Sequence, residues 1–249
     1  MQSIGSLILT QQICDNSMTW AREVLPIVQD GTVLIVRHLA QARGRQGRSW
    51  VLAEGQITHT IVLKPTLTPL SEQAFATLNM ALIVGLWAPF QKYGVTLKWP
   101  NDLYLNNKKL GGILFENIWQ ENQLRGIIVG YSLNINNNCT QHEHLASIAT
   151  SLSDETGKTF DLGLMQTEIF SSLSRFYATW QEGTYVEIFK LWRSVQGYIK
   201  KSLKVHTKDG ILLEGIAQDV LPNGDLVLAV PASDRTIVIS FAQVEEVII

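Results

Sequence analysis

The sequence predicts a compact protein in two parts, with helices and strands mixed in residues 1–199 and strands alone in residues 200–249. Three observations carry this reading: apolar strand-like runs between residues 31 and 133, two helical stripes, and a final stretch of short alternating segments cut by glycine-bearing turns. A chain of 249 residues with 46% hydrophobic side chains can bury a full-sized core. That leaves room for one large domain with a small companion.

In order along the chain, Gly31 to Leu39 is rich in Val, Leu and Ile and reads as a buried strand, as does Ile57 to Leu63. A polar, glycine-bearing loop lies between them. From Ser71 to Tyr93, Phe75, Leu78, Leu82, Leu86 and Phe90 recur at helical spacing, and Gly94 follows as the stop. Val95 to Lys98 and Leu103 to Leu105 read as short strands. Asn106-Asn107-Lys108 turns the chain into Leu110 to Ile118, and a further strand runs from Leu124 toward Leu133. Beyond Asn138, Ile169, Leu173, Phe176 and Trp180 fall on one helical face, the spacing of ordinary core packing. After Lys200, the segments Leu203–Thr207, Ile211–Val220, Leu226–Val230 and Thr236–Ser240 alternate, with Lys208-Asp209-Gly210 and Pro222-Asn223-Gly224 as turns. Residues 200–249 are thus expected to form a small β-barrel module leaning on the larger domain, residues 1–199.

Charge and cysteine content narrow the classes. Twenty basic against 22 acidic residues give a net charge of -2, without the global positive field of most nucleic-acid binders. Any anion must therefore be met locally. Two cysteines, Cys14 and Cys139, are too few for a disulfide framework and fit a reducing, cytoplasmic setting. The N-terminus lacks a basic stretch before its apolar run, and Met80 to Phe90 falls short of a membrane span, so neither export nor membrane insertion is expected.

Three stretches carry residues suited to chemistry. Ala42-Arg43-Gly44-Arg45-Gln46-Gly47-Arg48-Ser49-Trp50 sets three guanidiniums beside glycines, an arrangement suited to clamping a carboxylate or phosphate. A solvated basic loop is the other reading, and the local string does not decide between them. Lys98-Trp99-Pro100-Asn101-Asp102, with Lys109 before Gly111-Gly112, offers oxygen donors for Mg²⁺ and compact cations for phosphate. The same residues also make a tight hairpin. In Gly130-Tyr131-Ser132-Leu133-Asn134, Asn134 suits either a ligand or a turn. Gly157-Lys158-Thr159 lacks the first glycine of a P-loop, where Leu152 stands. His142-Glu143-His144 matches no zinc spacing, and no Gly-x-Ser-x-Gly elbow occurs.

Taken in order, these stretches resemble the catalytic domain of biotin–protein ligases, whose pattern is GRGRxGRxW, KWPND, KLxGI and then GxGxN. The match runs through Arg43 to Trp50, Lys98 to Asp102, Lys109 to Ile113 and Gly130 to Asn134, and covers nearly the whole chain. The resemblance implies an α+β fold, a mixed sheet flanked by helices, with a C-terminal SH3-like module. It implies activation of biotin with ATP and Mg²⁺ as biotinyl-5′-AMP, then transfer to a lysine of a biotin carboxyl carrier protein of an acyl-CoA carboxylase. Nucleic-acid and membrane partners are not expected, and the oligomeric state is open, a homodimer included. The family's bifunctional members carry an N-terminal DNA-binding helix-turn-helix. This sequence begins almost directly with the catalytic pattern, so repressor activity is not expected.

Carried across by position, Arg43, Gly44 and Arg45 close over biotin and adenylate, Lys109 meets the reacting oxygen, and Lys109 and Arg45 are the catalytic pair. Arg48 and Trp50 order the loop around nucleotide. Gly112 and Gly130 permit close backbone approach, Asn134 faces adenine, and Asp102 and Asn101 are assigned to Mg²⁺ or water. Three departures stand out. The family's Ser-Thr-Asn reads Asn16-Ser17-Met18 here, with Ser17 left to hold biotin. The glutamine that normally precedes the loop aligns with Leu39, and the loop opens on Ala42 where glycine is usual. An arginine sometimes found near the family's C-terminus has no counterpart after Arg235. The rivals are a lipoate or octanoate ligase or transferase of the same fold, and a paralogue that holds biotinyl-adenylate without transferring it. An RNA-binding reading of the arginine loop is disfavoured by the charge balance and the lack of interleaved aromatics.

Overall fold

The structure, a computed structural model, describes residues 3–65, 71–141, 143–231 and 235–248, with the side chains of residues 43, 46, 143 and 144 outside the described set. The first part of the chain carries β1 (Ile8–Cys14), β2 (Thr32–Leu39), β3 (Ala42–Arg43), β4 (Ser49–Trp50), β5 (Gln56–Leu63), β6 (Thr96–Lys98), β7 (Asp102–Leu105), β8 (Lys108–Gln120) and β9 (Gln123–Asn134). Its helices are α1 (Ser17–Val24), α2 (Glu72–Trp87), α3 (Glu143–Ala146), α4 (Leu152–Thr156), α5 (Leu162–Gln181) and α6 (Tyr185–Ser194). Seven strands form one mixed sheet in the order β1-β2-β5-β9-β8-β7-β6. Only β1 and β2 run parallel, joined through α1; the other neighbours are antiparallel. Asn106-Asn107 and Glu121-Asn122 take positive φ and close two-residue hairpins, the geometry that matches strand twist.

The two sheet faces are covered unequally, and that inequality positions the site. Ile57, Ile61, Leu63, Ile127, Val129 and Leu133 face α2 and α5, where the main core lies. Each fully buried side chain of this kind contributes about 1.5 to 3 kcal/mol. Helix α2 is buried almost all round, starts on the Ser71 side-chain cap and gives way to a 3₁₀ turn that stops at left-handed Gly94. The segment Glu72–Tyr93 is long and apolar enough to cross a membrane, yet 72% of its apolar window is buried inside this protein. It is read as the core helix. Gly85 lets α5 approach closely, since a Cβ there would lie 3.1 Å from the Cα of Leu173. Trp180 fixes the crossing by donating its indole N–H to the carbonyl of Ala74 at 2.7 Å.

On the opposite face α1 covers only one end. Asn16 caps it by accepting from the N–H groups of Met18 and Thr19, and Met18, Ala21 and Leu25 pack on Leu34, Val62 and Ile128. Strand alternation then puts Thr60, Thr58 and Gln56 on the α1 side, progressively beyond the helix. That uncovered floor is where the polar residues collect.

The last part forms a five-stranded antiparallel sheet from β10 (Ser202–Thr207), β11 (Leu212–Val220), β12 (Leu226–Val230), β13 (Arg235–Ile239) and β14 (Val244–Ile248), ordered β13-β12-β11-β10-β14. Its apolar side, including Leu203, Val205, Leu226 and Leu228, is continuous with the main core. Trp99 donates to the carbonyl of Gly224 at 2.8 Å and meets Phe241 edge-on, and Arg193 forks onto Asp219.

The expected strands and both long helices are present within a few residues. Sequence pattern missed β1, α1, the short α3 and α4, α6, β14 and the small β3–β4 hairpin. The edge strand β1 is mostly exposed, so its apolar residues do not alternate. In β14, Val244 and Val247 are buried three residues apart, and its pairing with β10 carries a register shift.

Candidate active site

The arginine loop folds as a hairpin over the uncovered floor. Ala42 pairs with Trp50 and Arg43 with Ser49, a 3₁₀ turn at Arg45–Gly47 makes the tip, and Gly47 supplies the positive φ. Gly44 donates its N–H to the carbonyl of Arg48 at 2.7 Å. The Arg43 side chain lies outside the described residues. Arg45 stands over the Phe241 ring at 4.3 Å and donates to the carbonyls of Phe241 and Val244 at 3.3 and 3.1 Å. Arg48 pairs with Glu246 at 3.3 Å and donates to the carbonyl of Glu245 at 3.0 Å. The C-terminal module therefore grips the loop through both arginines.

Across the sheet, Lys109 forms an ion pair with Asp102 at 2.8 Å and stands 5.6 Å from the Trp50 ring. Arg45 belongs to the same electrostatic neighbourhood. Burial lowers its pKa, the Asp102 charge pushes it back up, and Arg48 lowers it as a like charge. Lys98, which donates to the Tyr104 hydroxyl at 2.9 Å, is likewise pulled below the usual lysine range by burial, with Asp102 opposing and Lys109 adding to the fall. Burial, followed by the charges of Asp102 and Glu246, raises the Tyr104 phenol, so it stays protonated. Among the described residues four cations thus gather around the two carboxylates Asp102 and Glu246, an excess of positive charge. Such a cluster has capacity for an added anion. The Trp50 indole N–H is buried and has no hydrogen-bond partner among the described residues.

Glycines keep the floor low. A Cβ on Gly112 would lie 2.8 Å from Oδ1 of Asp102 and 3.5 Å from Cε of Lys109, and one on Gly130 would lie 3.1 Å from Sδ of Met18. Beside the loop a cavity of about 210 Å³ is bordered by Met18, Thr19, Arg22, Gly44, Leu114 and Glu116. Ser17 is buried and shares a 2.8 Å hydrogen bond with Thr60.

The structure thus brings Arg45, Arg48, Trp50, Lys109, Gly112 and Asp102 together, with Ser17 and Gly130 along the adjoining floor and Gly44 in the loop above it. Asn101 braces the turn: its amide donates to the carbonyl of Ile113 at 2.6 Å while its own carbonyl accepts from the Ile113 N–H. Asn134 is buried at the far end and bonded within the protein, accepting from Gln56 and Asn137 and donating to the carbonyl of Thr150. Among the described residues no group of three or more His, Cys, Asp or Glu is placed to hold a metal ion. Sequence reasoning missed Thr58, Thr60 and Ser132 on the floor, and Phe241 and Glu246 from the module. Polar residues at alternate positions of the otherwise apolar β5 were the available signal for the first group.

Known proteins resemble this chain in sequence and in fold. The chain is 28% identical over 212 residues to the bifunctional ligase/repressor BirA of Bacillus spizizenii, covering 83% of this chain and 65% of that protein. It is 26% identical over 237 residues to the biotin–[acetyl-CoA-carboxylase] ligase of Paracoccus denitrificans, covering 90% and 94%. The fold matches the biotin protein ligase of Aquifex aeolicus, solved in complex with biotin and ATP, with a TM-score of 0.79 at 22% identity over 97% of this chain and 98% of that one. The family model for the biotin/lipoate A/B protein ligases matches residues 10–134, half of the sequence, and the chain belongs to that family.

Proposed function

We propose that this protein is an ATP-dependent ligase that forms biotinyl-5′-AMP and passes biotin to a lysine of a biotin carboxyl carrier protein of an acyl-CoA carboxylase. The observation that carries the reading is that Lys109 pairs with Asp102 and Arg45, 64 positions away in sequence, feels the charge of the same carboxylate, next to a buried Trp50 indole N–H that has no hydrogen-bond partner among the described residues. Bringing a carboxylate to a triphosphate sets like charges together, and preorganised cations in a partly desolvated pocket offset that repulsion. Lys109 is assigned to the oxygen shared by the acyl and phosphoryl groups. Arg45 and Arg43 close from above with Gly44, Arg48 and Trp50 order the loop around nucleotide, and Asn134 borders the adenine end. Ser17, Gly112 and Gly130 complete the acid's side.

The biotin carboxylate attacks the α-phosphorus, pyrophosphate leaves, and the carrier amine then attacks the acyl carbon and expels AMP. No protein nucleophile is needed. Asp102 and the side-chain carbonyl of Asn101 are hard oxygen donors that fit Mg²⁺ held chiefly by phosphate and water. When bound, the ion would neutralise phosphate charge. Residues 1–199 are assigned to catalysis and 200–249 to the SH3-like module. The same reading places the protein in the cytoplasm, without nucleic-acid or membrane partners.

A biotin-dependent ATP–pyrophosphate exchange assay tests the first step, and the mass shift of a carrier domain tests the second. Biotin should support both. Exchange with octanoate or lipoate and none with biotin would overturn the assignment, while exchange without carrier labelling would mark an adenylate-holding paralogue. Sedimentation of the same preparation distinguishes monomer from homodimer.

A further inference from the structure

Strand register places Thr58, Ser132, Gly112 and Asp102 in one row across β5, β9, β8 and β7. Directly opposed residues on neighbouring strands share a sheet face, so these four side-chain positions line the floor side by side. Gly112 leaves a gap in the row. Asp102 and Lys109 border the gap on one side, and Ser132 lies about 5 Å away on the other, one interstrand spacing.

Thr58 donates its hydroxyl hydrogen to the Ser132 oxygen at 3.0 Å. Ser132 must therefore send its own hydrogen elsewhere, and among the described residues its side chain makes no other hydrogen bond. A pair serving only the sheet would suit a position closed from ligand. Two residues further on the same face, Thr60 is such a position, covered by Ser17; Thr58 is not covered in this way and remains half-buried. Ser132 also stands where the GxGxN pattern has its second glycine, so this hydroxyl is added to the floor.

We propose that Ser132 is a further ligand-binding residue. Its hydroxyl donates across Gly112 to the acyl or phosphoryl oxygen that Lys109 meets from the other side. Thr58 is its positioning residue: by donating to Ser132 it fixes the direction of the serine proton and polarises the hydroxyl. The ligand class is an anionic acyl or phosphoryl oxygen, and the inference rests on the ligase reading above.

The test uses the purified full-length chain and biotin-dependent ATP–pyrophosphate exchange over a range of biotin concentrations, with thermal midpoints measured in parallel. Ser132→Ala should lower kcat/KM about 10- to 100-fold, as for loss of a hydrogen bond to a charged group, with little change in midpoint. Thr58→Val, nearly isosteric, should reproduce most of that loss, while Thr58→Ser should restore exchange; this rescue is not expected of a packing role. Should Ser132→Ala fold poorly, the Val and Ser variants of Thr58 carry the test alone. Exchange within twofold of the parent in Ser132→Ala, or equal losses in Thr58→Ser and Thr58→Val, overturns the inference and leaves the ligase reading standing. A parent chain that exchanges with no acid overturns both.

Discussion

Replacing Arg45 by alanine removes a guanidinium with two duties, and the structure allows them to be separated. Its contacts with the carbonyls of Phe241 and Val244 and with the Phe241 ring hold the loop to the C-terminal module. Cationic hydrogen bonds contribute about 1.5 to 3 kcal/mol each when desolvated. For this half-exposed group, the net loss should be about 1 to 2 kcal/mol. In a chain of this length that corresponds to a fall of about 2 to 8 °C in Tm. The second duty is electrostatic, through the neighbourhood shared with Asp102 and Lys109. Losing one preorganised charge contact should cost about 2 to 4 kcal/mol in the adenylation barrier, roughly 30- to 1000-fold in rate. Phe241→Leu removes the ring but keeps both carbonyls, so it should lose about 0.5 to 1 kcal/mol of stability and much less activity. Pyrophosphate exchange and differential scanning calorimetry read the two effects. Near-parental exchange in Arg45→Ala would refute the catalytic role, and an unchanged midpoint would refute the docking role.

Lys109→Ala should impair adenylate formation more than transfer from preformed biotinyl-5′-AMP to the carrier; equal losses in the two half-reactions would remove Lys109 from the first step. Gly112→Ala places a methyl group 2.8 Å from Oδ1 of Asp102 and closes the gap in the floor, so biotin affinity should fall at least tenfold with a midpoint shift under about 2 °C. Isothermal titration calorimetry checks this, and unchanged affinity would mean that no ligand enters the gap. Burial, reinforced by the Asp154 charge, pushes the Cys139 thiol from 9.0 up to about 11. Between those values the unfolded chain releases its proton first, so this contribution to stability is present below pH 9 and disappears as pH rises toward 11. Urea titrations of Cys139→Ser should show a shallower decline over that window than the parent; parallel declines would contradict the assignment.

Local sequence was sufficient where one short segment contains the whole physical reason for its structure. Ser71 as a cap, an apolar run and left-handed Gly94 specify α2 with the turn that ends it, and Asn106-Asn107 specifies a hairpin because two consecutive residues must take positive φ. The cations of the site were likewise visible, because three arginines beside glycines are conspicuous in any context. Helix α1 was legible in retrospect from the Asn16 cap and the Met18, Ala21, Leu25 spacing, but eight residues give a weak period.

Tertiary structure alone decided which groups meet. The row from Thr58 to Asp102 depends on the register of four strands, and each strand's own pattern fixes only which residues share its two faces. The grip of Phe241, Val244 and Glu245 on the loop links positions almost 200 residues apart through backbone carbonyls, which leave no trace in side-chain identity. Sequence determined the elements and the charges available to them, because propensity, capping and turn chemistry are local. Packing decided the floor, the gap over Gly112 and the contact with the module, because burial and electrostatics depend on distance in space.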